Sequence, residues 1–172
     1  MAGAVIRRTA RLVIREIVHE DAPFILQLLN DPAFIQYVGD KGVRTLDDAR
    51  HYIDTGPRAM YAEFGFGLWL VQLLDGAPIG ICGLLKRPVL DDVDLGFAML
   101  PEFRGAGYAR EAAAAVVAHA RDTLGLQRLV AITNPDNDAS GRLLEQLGFN
   151  FEKLATVFPG APPLKLFATP KR

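Results

Sequence analysis

Only one cysteine, one tryptophan, three methionines and three histidines stand among the 172 residues. A lone Cys82 can neither close an internal disulfide nor anchor a Cys-clustered zinc site. Its setting, Ile79-Gly80-Ile81-Cys82-Gly83, reads as small core filler rather than a nucleophile. Neither charge is in excess: 19 Lys+Arg against 20 Asp+Glu leave a formal −1, so nothing global attracts nucleic acid or an anionic membrane. No apolar run approaches the roughly 20 residues that span a bilayer. The basic stretch 1–11 is not followed by the apolar core of a secretion signal. Linkers, low-complexity tracts and solenoid repeats are missing as well. What is present is a chain that is 50% hydrophobic, long enough to bury a sizeable core without metals or disulfides. The expectation is one soluble, cytoplasmic domain over residues 1–172, with its core between about 10 and 170.

Hydrophobic periodicity and punctuation predict the order β-α-α-β-β-β-α-β-α-β-β. Residues 12–17 make a first strand. Asp21 is expected to cap a helix with Pro23 in its first turn and Phe24, Ile25, Leu28 and Leu29 on its apolar face, stopped by Asp31-Pro32. The pattern allows a short helical piece over 32–38; Thr45-Leu46-Asp47-Asp48 then resembles a capping box with Asp for the usual Glu, opening a helix that closes near Gly56-Pro57. Strands over 67–74 and 78–86 flank the hairpin signal Asp75-Gly76. A strand over 92–100, a long Ala-rich helix over 107–124 closed by Gly125, and a strand over 127–133 should form a right-handed parallel crossover. A helix over 138–147 and strands over 149–158 and 164–169 complete an α/β chain, a mixed sheet with helices on its faces.

Chemistry concentrates where the 92–100 strand meets the long helix, in Pro101-Glu102-Phe103-Arg104-Gly105-Ala106-Gly107-Tyr108-Ala109-Arg110. Successive backbone N–H groups in such a loop can share one concavity, and the helix start adds unsatisfied donors and the positive end of its dipole. Gly105 and Gly107 permit unusual φ values and close approach, and Arg104 offers a cation to phosphate oxygens. Such a segment can bind a diphosphate or can simply be a strand-to-helix turn. It is not a Rossmann fingerprint, since Arg110 stands where a third small residue belongs, and no Gly-Lys-Ser/Thr of a P-loop is present.

The motif Arg-x-x-Gly-x-Ala (Arg104, Gly107, Ala109), followed by a helix, a strand and Asn134-Pro135-Asp136-Asn137-Asp138-Ala139-Ser140-Gly141-Arg142-Leu143-Leu144, resembles the GNAT acyltransferase superfamily. The likeness is strongest to its RimJ/RimL-like branch, which acetylates protein N-termini and other amines. The resemblance implies a mostly antiparallel twisted sheet with helices on both faces and a central parallel strand pair that splays apart. It implies acetyl-CoA as acyl donor, with the pantetheine arm bonding along the strand edge at Phe97, Ala98 and Met99 as an added strand would. The diphosphate would rest on the amides of Arg104, Gly105, Ala106, Gly107, Tyr108, Ala109 and Arg110. Asn137 matches the family asparagine that holds pantetheine or the neighbouring strand, although Asn is equally at home as a helix N-cap. A homodimer is a family-level expectation.

Acetyl transfer to an amine needs a neutral nucleophile, a polarised thioester carbonyl and a stabilised leaving thiolate, and no metal. A base removes the ammonium proton, often through water, and a backbone N–H on the splayed strand can polarise the carbonyl. By resemblance the base is Asp94, two residues before Gly96 and on one face with Ala98. It could instead be one solvent-facing carboxylate of the run Asp91-Asp92-Val93-Asp94, with Asp92 the substitute. Ser140 matches a serine whose hydroxyl can reach the CoA sulfur; it could also serve local backbone groups. Two family features are absent: Leu144 stands in place of the tyrosine acid, and Ile132 where some members carry glutamate. Tyr37, Tyr52, Tyr61, Phe64, Phe66 and Trp69 lie in the region that would wall the acceptor pocket, although core packing also explains aromatics. Arg44, Arg50 and Arg58 could meet an anionic acceptor or be ordinary exposed charges. His19, His51 and His119 are assigned no catalytic role. The expected activity is N-acetylation of a protein, peptide or small-molecule primary amine by direct attack; the alternative is a non-catalytic acyl-CoA-binding domain.

Overall fold

In the computed structural model, which describes residues 3–170, eight strands form one sheet in the order β1-β2-β3-β4-β5-β6-β8-β7. They are β1 (Val5–Arg8), β2 (Leu12–Arg15), β3 (Leu68–Leu73), β4 (Pro78–Leu85), β5 (Val93–Met99), β6 (Leu129–Thr133), β7 (Asn150–Ala155) and β8 (Leu164–Ala168). Six helices connect them: α1 (Ala22–Leu29), α2 (Pro32–Tyr37), α3 (Leu46–Ile53), α4 (Ala59–Phe64), α5 (Tyr108–Asp122) and α6 (Asp138–Gln146). Every neighbouring pair is antiparallel except β5 and β6, which are parallel and joined by the α5 crossover. Among the described residues no helix is long and apolar enough to cross a membrane.

Alternation along the strands divides the core in two. Trp69, Val71, Cys82, Leu95 and Met99 face α5, meeting Ala112, Ala113, Val116 and Ala120. The small residues of that helix face let it lie close to the sheet. Leu70 and Ile81 point the other way, into a second cluster with Ile25, Leu28, Phe34, Ala49 and Ile53 of α1, α2 and α3. Cys82 is fully buried, and its thiol pKa is pushed up by burial, so it is core and stays protonated.

Three local expectations needed correction. Residues 5–8 form a strand that the short apolar pair Val5-Ile6 did not announce; its register partners on β2, Arg7 with Ile14 and Arg8 with Val13, create it. The helix beginning at Thr45 does not end at Gly56-Pro57. A π-helical stretch over Asp54–Arg58 absorbs Pro57, where a widened ladder tolerates the missing N–H, and α4 then runs on to Gly65 at φ +79°. Asp21 precedes α1 without capping it by its side chain. Its carboxylate instead accepts two bonds from the Arg15 guanidinium, at 2.9 and 2.8 Å, and one from the Val18 N–H at 2.8 Å. The capping box at α3 does form: Thr45 Oγ1 accepts from Asp48 N–H at 3.0 Å, and Asp48 accepts from Thr45 N–H at 3.2 Å.

The buried Arg15–Asp21 pair fastens β2 to the start of the α1–α3 layer. Replacing Arg15 by Met should strand the Asp21 carboxylate and cost about 3–5 kcal/mol. Urea unfolding should show Arg15→Met/Asp21→Leu recovering most of that loss, because an apolar pair leaves no orphaned charge.

Candidate active site

The parallel strands β5 and β6 pair at only two positions, Val93 with Leu129 and Asp94 with Val130. Beyond them the strands part, while β5 stays paired to β4 along its whole length and β6 to β8. Leu100 N–H donates to the Ile79 carbonyl at 2.8 Å. Antiparallel alternation therefore directs the backbone groups of Ala98, Gly96 and Asp94 toward β4, and those of Phe97 and Met99 into the gap, the Leu95 N–H still serving the Asp94–Val130 bridge. Of the three expected edge residues, Phe97 and Met99 thus turn backbone groups into the gap. Ala98 contributes its side chain to the wall, and the Met99 carbonyl is already taken by Arg104 at 3.1 and 2.9 Å.

A cavity of about 230 Å³ occupies the gap, lined among others by Asp94, Gly96, Phe97, Ala98, Thr133, Asn137 and Ser140. Asp94 is only 1% exposed, so it is no surface carboxylate. Its Oδ1 has no hydrogen-bond partner; its Oδ2 lies 3.4 Å from Arg87 Nε. Burial raises its pKa above the ordinary carboxylate range, with Arg87 opposing the shift. Asp92 does not share this place: its carboxylate receives Arg128 Nε at 3.1 Å outside the cavity. Thr133 Oγ1 is a second buried polar atom without a partner, and it lines the same cavity. Two residues that line one cavity thus each carry a buried polar atom without a partner.

At the open end, β5 leads through Pro101–Phe103 into α5. Gly105 and Gly107 adopt φ +78° and +83°, left-handed backbone that only glycine takes without strain. The amides of residues 105–110 have no acceptor among the described residues, the first intrahelical bond of this turn being Glu111 N–H to the Gly107 carbonyl at 3.0 Å. Arg104 stands apart from this run. Its amide donates to the Pro101 carbonyl at 3.2 Å, and its guanidinium is bound to Asp31 at 2.7 Å. Arg11 instead reaches this loop from elsewhere in the chain. It donates to the Ala106 carbonyl at 3.0 Å and to Glu111 at 2.7 Å, and stacks 4.3 Å from the Tyr108 ring centroid. Its place in the turn before β2, far from the motif in sequence, left no spacing to find it by.

On the β6 side Asn137 caps α6, its Oδ1 accepting Ser140 N–H at 3.3 Å, and both residues also line the cavity. The two readings of Asn137 are therefore compatible, since its side-chain amide N–H groups have no partner among the described residues. Leu144 is fully buried against the cavity and supplies no hydroxyl acid. Of the six aromatics, Tyr37 and Tyr52 reach the cavity. Tyr61, Phe66 and Trp69 pack in the α5-side core, and Phe64 stacks on Phe66 at 5.6 Å. Arg44, Arg50 and Arg58 pair with Asp40, Asp47 and Asp54 and lie away from it. His119 is core, edge-on to Trp69. Lys41, Arg87 and Phe158, which the sequence reading did not single out, complete the cavity's far side.

Residues 11–150 match the acetyltransferase (GNAT) domain. The chain belongs to the GNAT acetyltransferase family. As a GNAT protein it is an acyltransferase, and the donor used in that family is acetyl-CoA. Uncharacterized N-acetyltransferase YoaA of Bacillus subtilis (strain 168) is 30% identical over 151 residues, covering 86% of this chain and 84% of its own length. The acetyltransferase from Agrobacterium tumefaciens str. C58 superposes with a TM-score of 0.82 at 27% identity, over 99% of this chain and 96% of that one. RimL, the ribosomal L7/L12 alpha-N-protein acetyltransferase solved in complex with coenzyme A, has the same fold, with a TM-score of 0.82 at 16% identity over 95% of this chain and 96% of its own. The six free amides, the bare β5 edge and the orphaned Thr133 hydroxyl all suit such a donor. Among the described residues no group of three or more His, Cys, Asp or Glu could hold a metal ion.

The raised pKa of Asp94 has a definite thermodynamic sign. The native state binds this proton more tightly than the unfolded state, whose carboxyl titrates near 3.8. The contribution is complete below that value and is lost as pH rises through the folded pKa. Asp94→Asn should therefore raise the unfolding free energy at neutral pH and leave it nearly unchanged near about pH 3, as urea titrations at both pH values would register.

Proposed function

We propose that this acyltransferase moves the acetyl group of acetyl-CoA onto a primary amine, of a protein or peptide N-terminus or of a small molecule, by direct attack in the cytoplasm. The observation that carries the reading is Asp94: a buried carboxylate with one free oxygen, at the closed end of the gap that would receive the thioester. An α-amine has a pKa of about 8 and a lysine amine of about 10.4, so most acceptor molecules arrive protonated. Asp94 accepts that proton, directly or through a water, and its raised pKa makes it a better base than an exposed carboxylate. Acetyl-CoA supplies a thioester carbonyl whose C–S bond breaks as the C–N bond forms. The gap-facing N–H group of Phe97 polarises that carbonyl. Ser140 Oγ–H donates toward the departing thiolate, taking the place of a tyrosine acid at Leu144. The free amides of residues 105–110 hold the diphosphate, steadied by Arg11, and Asn137 and Thr133 meet the polar groups of the pantetheine arm. Cys82, buried and protonated away from the cavity, takes no part, so no acyl-enzyme is formed on it.

Steady-state turnover of acetyl-CoA with a panel of amines and peptides tests the assignment. Asp94→Asn should lower kcat by about 10²- to 10⁴-fold and flatten the rise of rate with pH. Ser140→Ala should cost about a hundredfold with little change in KM for the donor. If neither variant changes the rate, the roles given to these two side chains are wrong. Tight CoA binding without turnover on any amine would return the chain to a non-catalytic sensor.

A further inference from the structure

Charge is unbalanced on the side of the cavity away from the amide loop. Apart from tyrosines, three ionisable side chains line it: Lys41, Arg87 and Asp94. Arg87 lies between the others. Its Nε is 3.4 Å from Asp94 Oδ2, long for a charge-assisted bond, and its guanidinium carbon is 5.5 Å from the Phe158 ring centroid. Lys41 has no partner among the described residues, because the adjacent Asp40 is held by Arg44 at 2.6 Å. Lys41 is exposed as a residue, and partial desolvation of its ammonium together with the charge of Arg87 lowers its pKa. Two cations therefore line one space with a single carboxylate, which Arg87 alone approaches, and that carboxylate is itself easier to protonate than usual. Such a space repels a second ammonium and favours an anion.

We propose that Lys41 and Arg87 form a carboxylate-binding subsite, so that the acceptor amine carries a carboxylate close to its nitrogen. The carboxylate is either that of a free amino acid or the side chain of an acidic N-terminal residue. This assignment rests on the acetyl-transfer reading above and narrows its acceptor. A carboxylate held between Lys41 and Arg87 brings the neighbouring amine to Asp94, and the apolar walls at Phe34, Val38 and Phe158 receive the rest of the molecule. Polyamines, which add positive charge, are disfavoured by the same balance.

Equilibrium binding to the full chain, with and without CoA, tests the subsite independently of turnover. The probes are L-phenylalanine, L-phenylalaninamide, L-aspartyl-L-phenylalaninamide and spermidine. At low salt at least one carboxylate probe should bind about tenfold more tightly than phenylalaninamide. That margin should shrink as salt rises and disappear in Lys41→Gln, whose unaltered CoA affinity would show that it is folded. Phenylalanine alone gaining the advantage identifies free amino acids as the acceptor class; the aspartyl peptide alone identifies acidic N-termini; both support the shared subsite. No carboxylate advantage at any salt concentration, including no measurable binding of either probe, overturns the proposal, as does tighter binding of spermidine. Acetylation of phenylalaninamide as fast as of the carboxylate probes would sink the subsite and leave acetyl transfer standing. Carboxylate-dependent binding without transfer would do the reverse.

Discussion

A parallel strand pair that is allowed only two residue pairs governs this molecule. Val93–Leu129 and Asp94–Val130 hold β5 and β6 together, and past them each strand keeps only its outer neighbour. The right-handed α5 crossover lets the two strands lie side by side, and the pairing of β6 with β8 lets it diverge without losing its own ladder. What remains is a backbone edge on β5 with no strand to satisfy it. Buried polar backbone without a partner is costly, so the gap is stable only because it opens to solvent or to a ligand that can act as a strand. The loop at the end of β5, the cap of α6 at the end of β6, and the cavity between them all follow from that divergence.

Electrostatic groups near the gap divide into those that hold the scaffold and those left free. Arg104 and Arg11 hold it: one joins the end of β5 to Asp31, the other joins the β1–β2 turn to Glu111 and the Ala106 carbonyl. The loop before α5 is thereby left with its backbone amides free, their positions secured by the two arginines. Asp94 Oδ1 and Thr133 Oγ1 remain without partners in the same cavity, a desolvation cost that packing elsewhere offsets. Carrying that cost in the ground state keeps the carboxylate poised to take a proton.

The near-neutral charge count of the chain conceals this arrangement. A sum of 19 against 20 excludes a basic surface but is silent about a pocket where Lys41 and Arg87 meet one carboxylate. Most cations of the α2–α4 region are neutralised locally, Arg44 by Asp40, Arg50 by Asp47 and Arg58 by Asp54, and these pairs are three or four residues apart. Lys41 is the exception because its nearest carboxylate is already engaged.

Much was legible in the chain itself, and the reason is locality. The Asp75-Gly76 hairpin, the Thr45 capping box, the two-glycine loop before α5 and the Asn137 cap are each set by residues within a few positions, so their geometry follows from backbone preference. The separation of the loop from the Asn137 segment was enough to bring out the GNAT resemblance. The N-terminal strand was not legible, because a four-residue strand is stabilised by its partner and not by its own pattern. The π-helical passage through Pro57 escaped for a related reason: Gly-Pro is a strong stop signal, and only packing of the buried proline overrode it. By itself, then, the sequence determined the order of elements from β3 onward, the amide-rich loop and the family. Tertiary structure decided that Asp94 and not Asp92 is buried, that Arg104 turns to Asp31 across 73 positions of chain, and that Lys41 and Arg87 face one cavity. Those outcomes depend on distances between segments far apart in sequence, which no local pattern encodes.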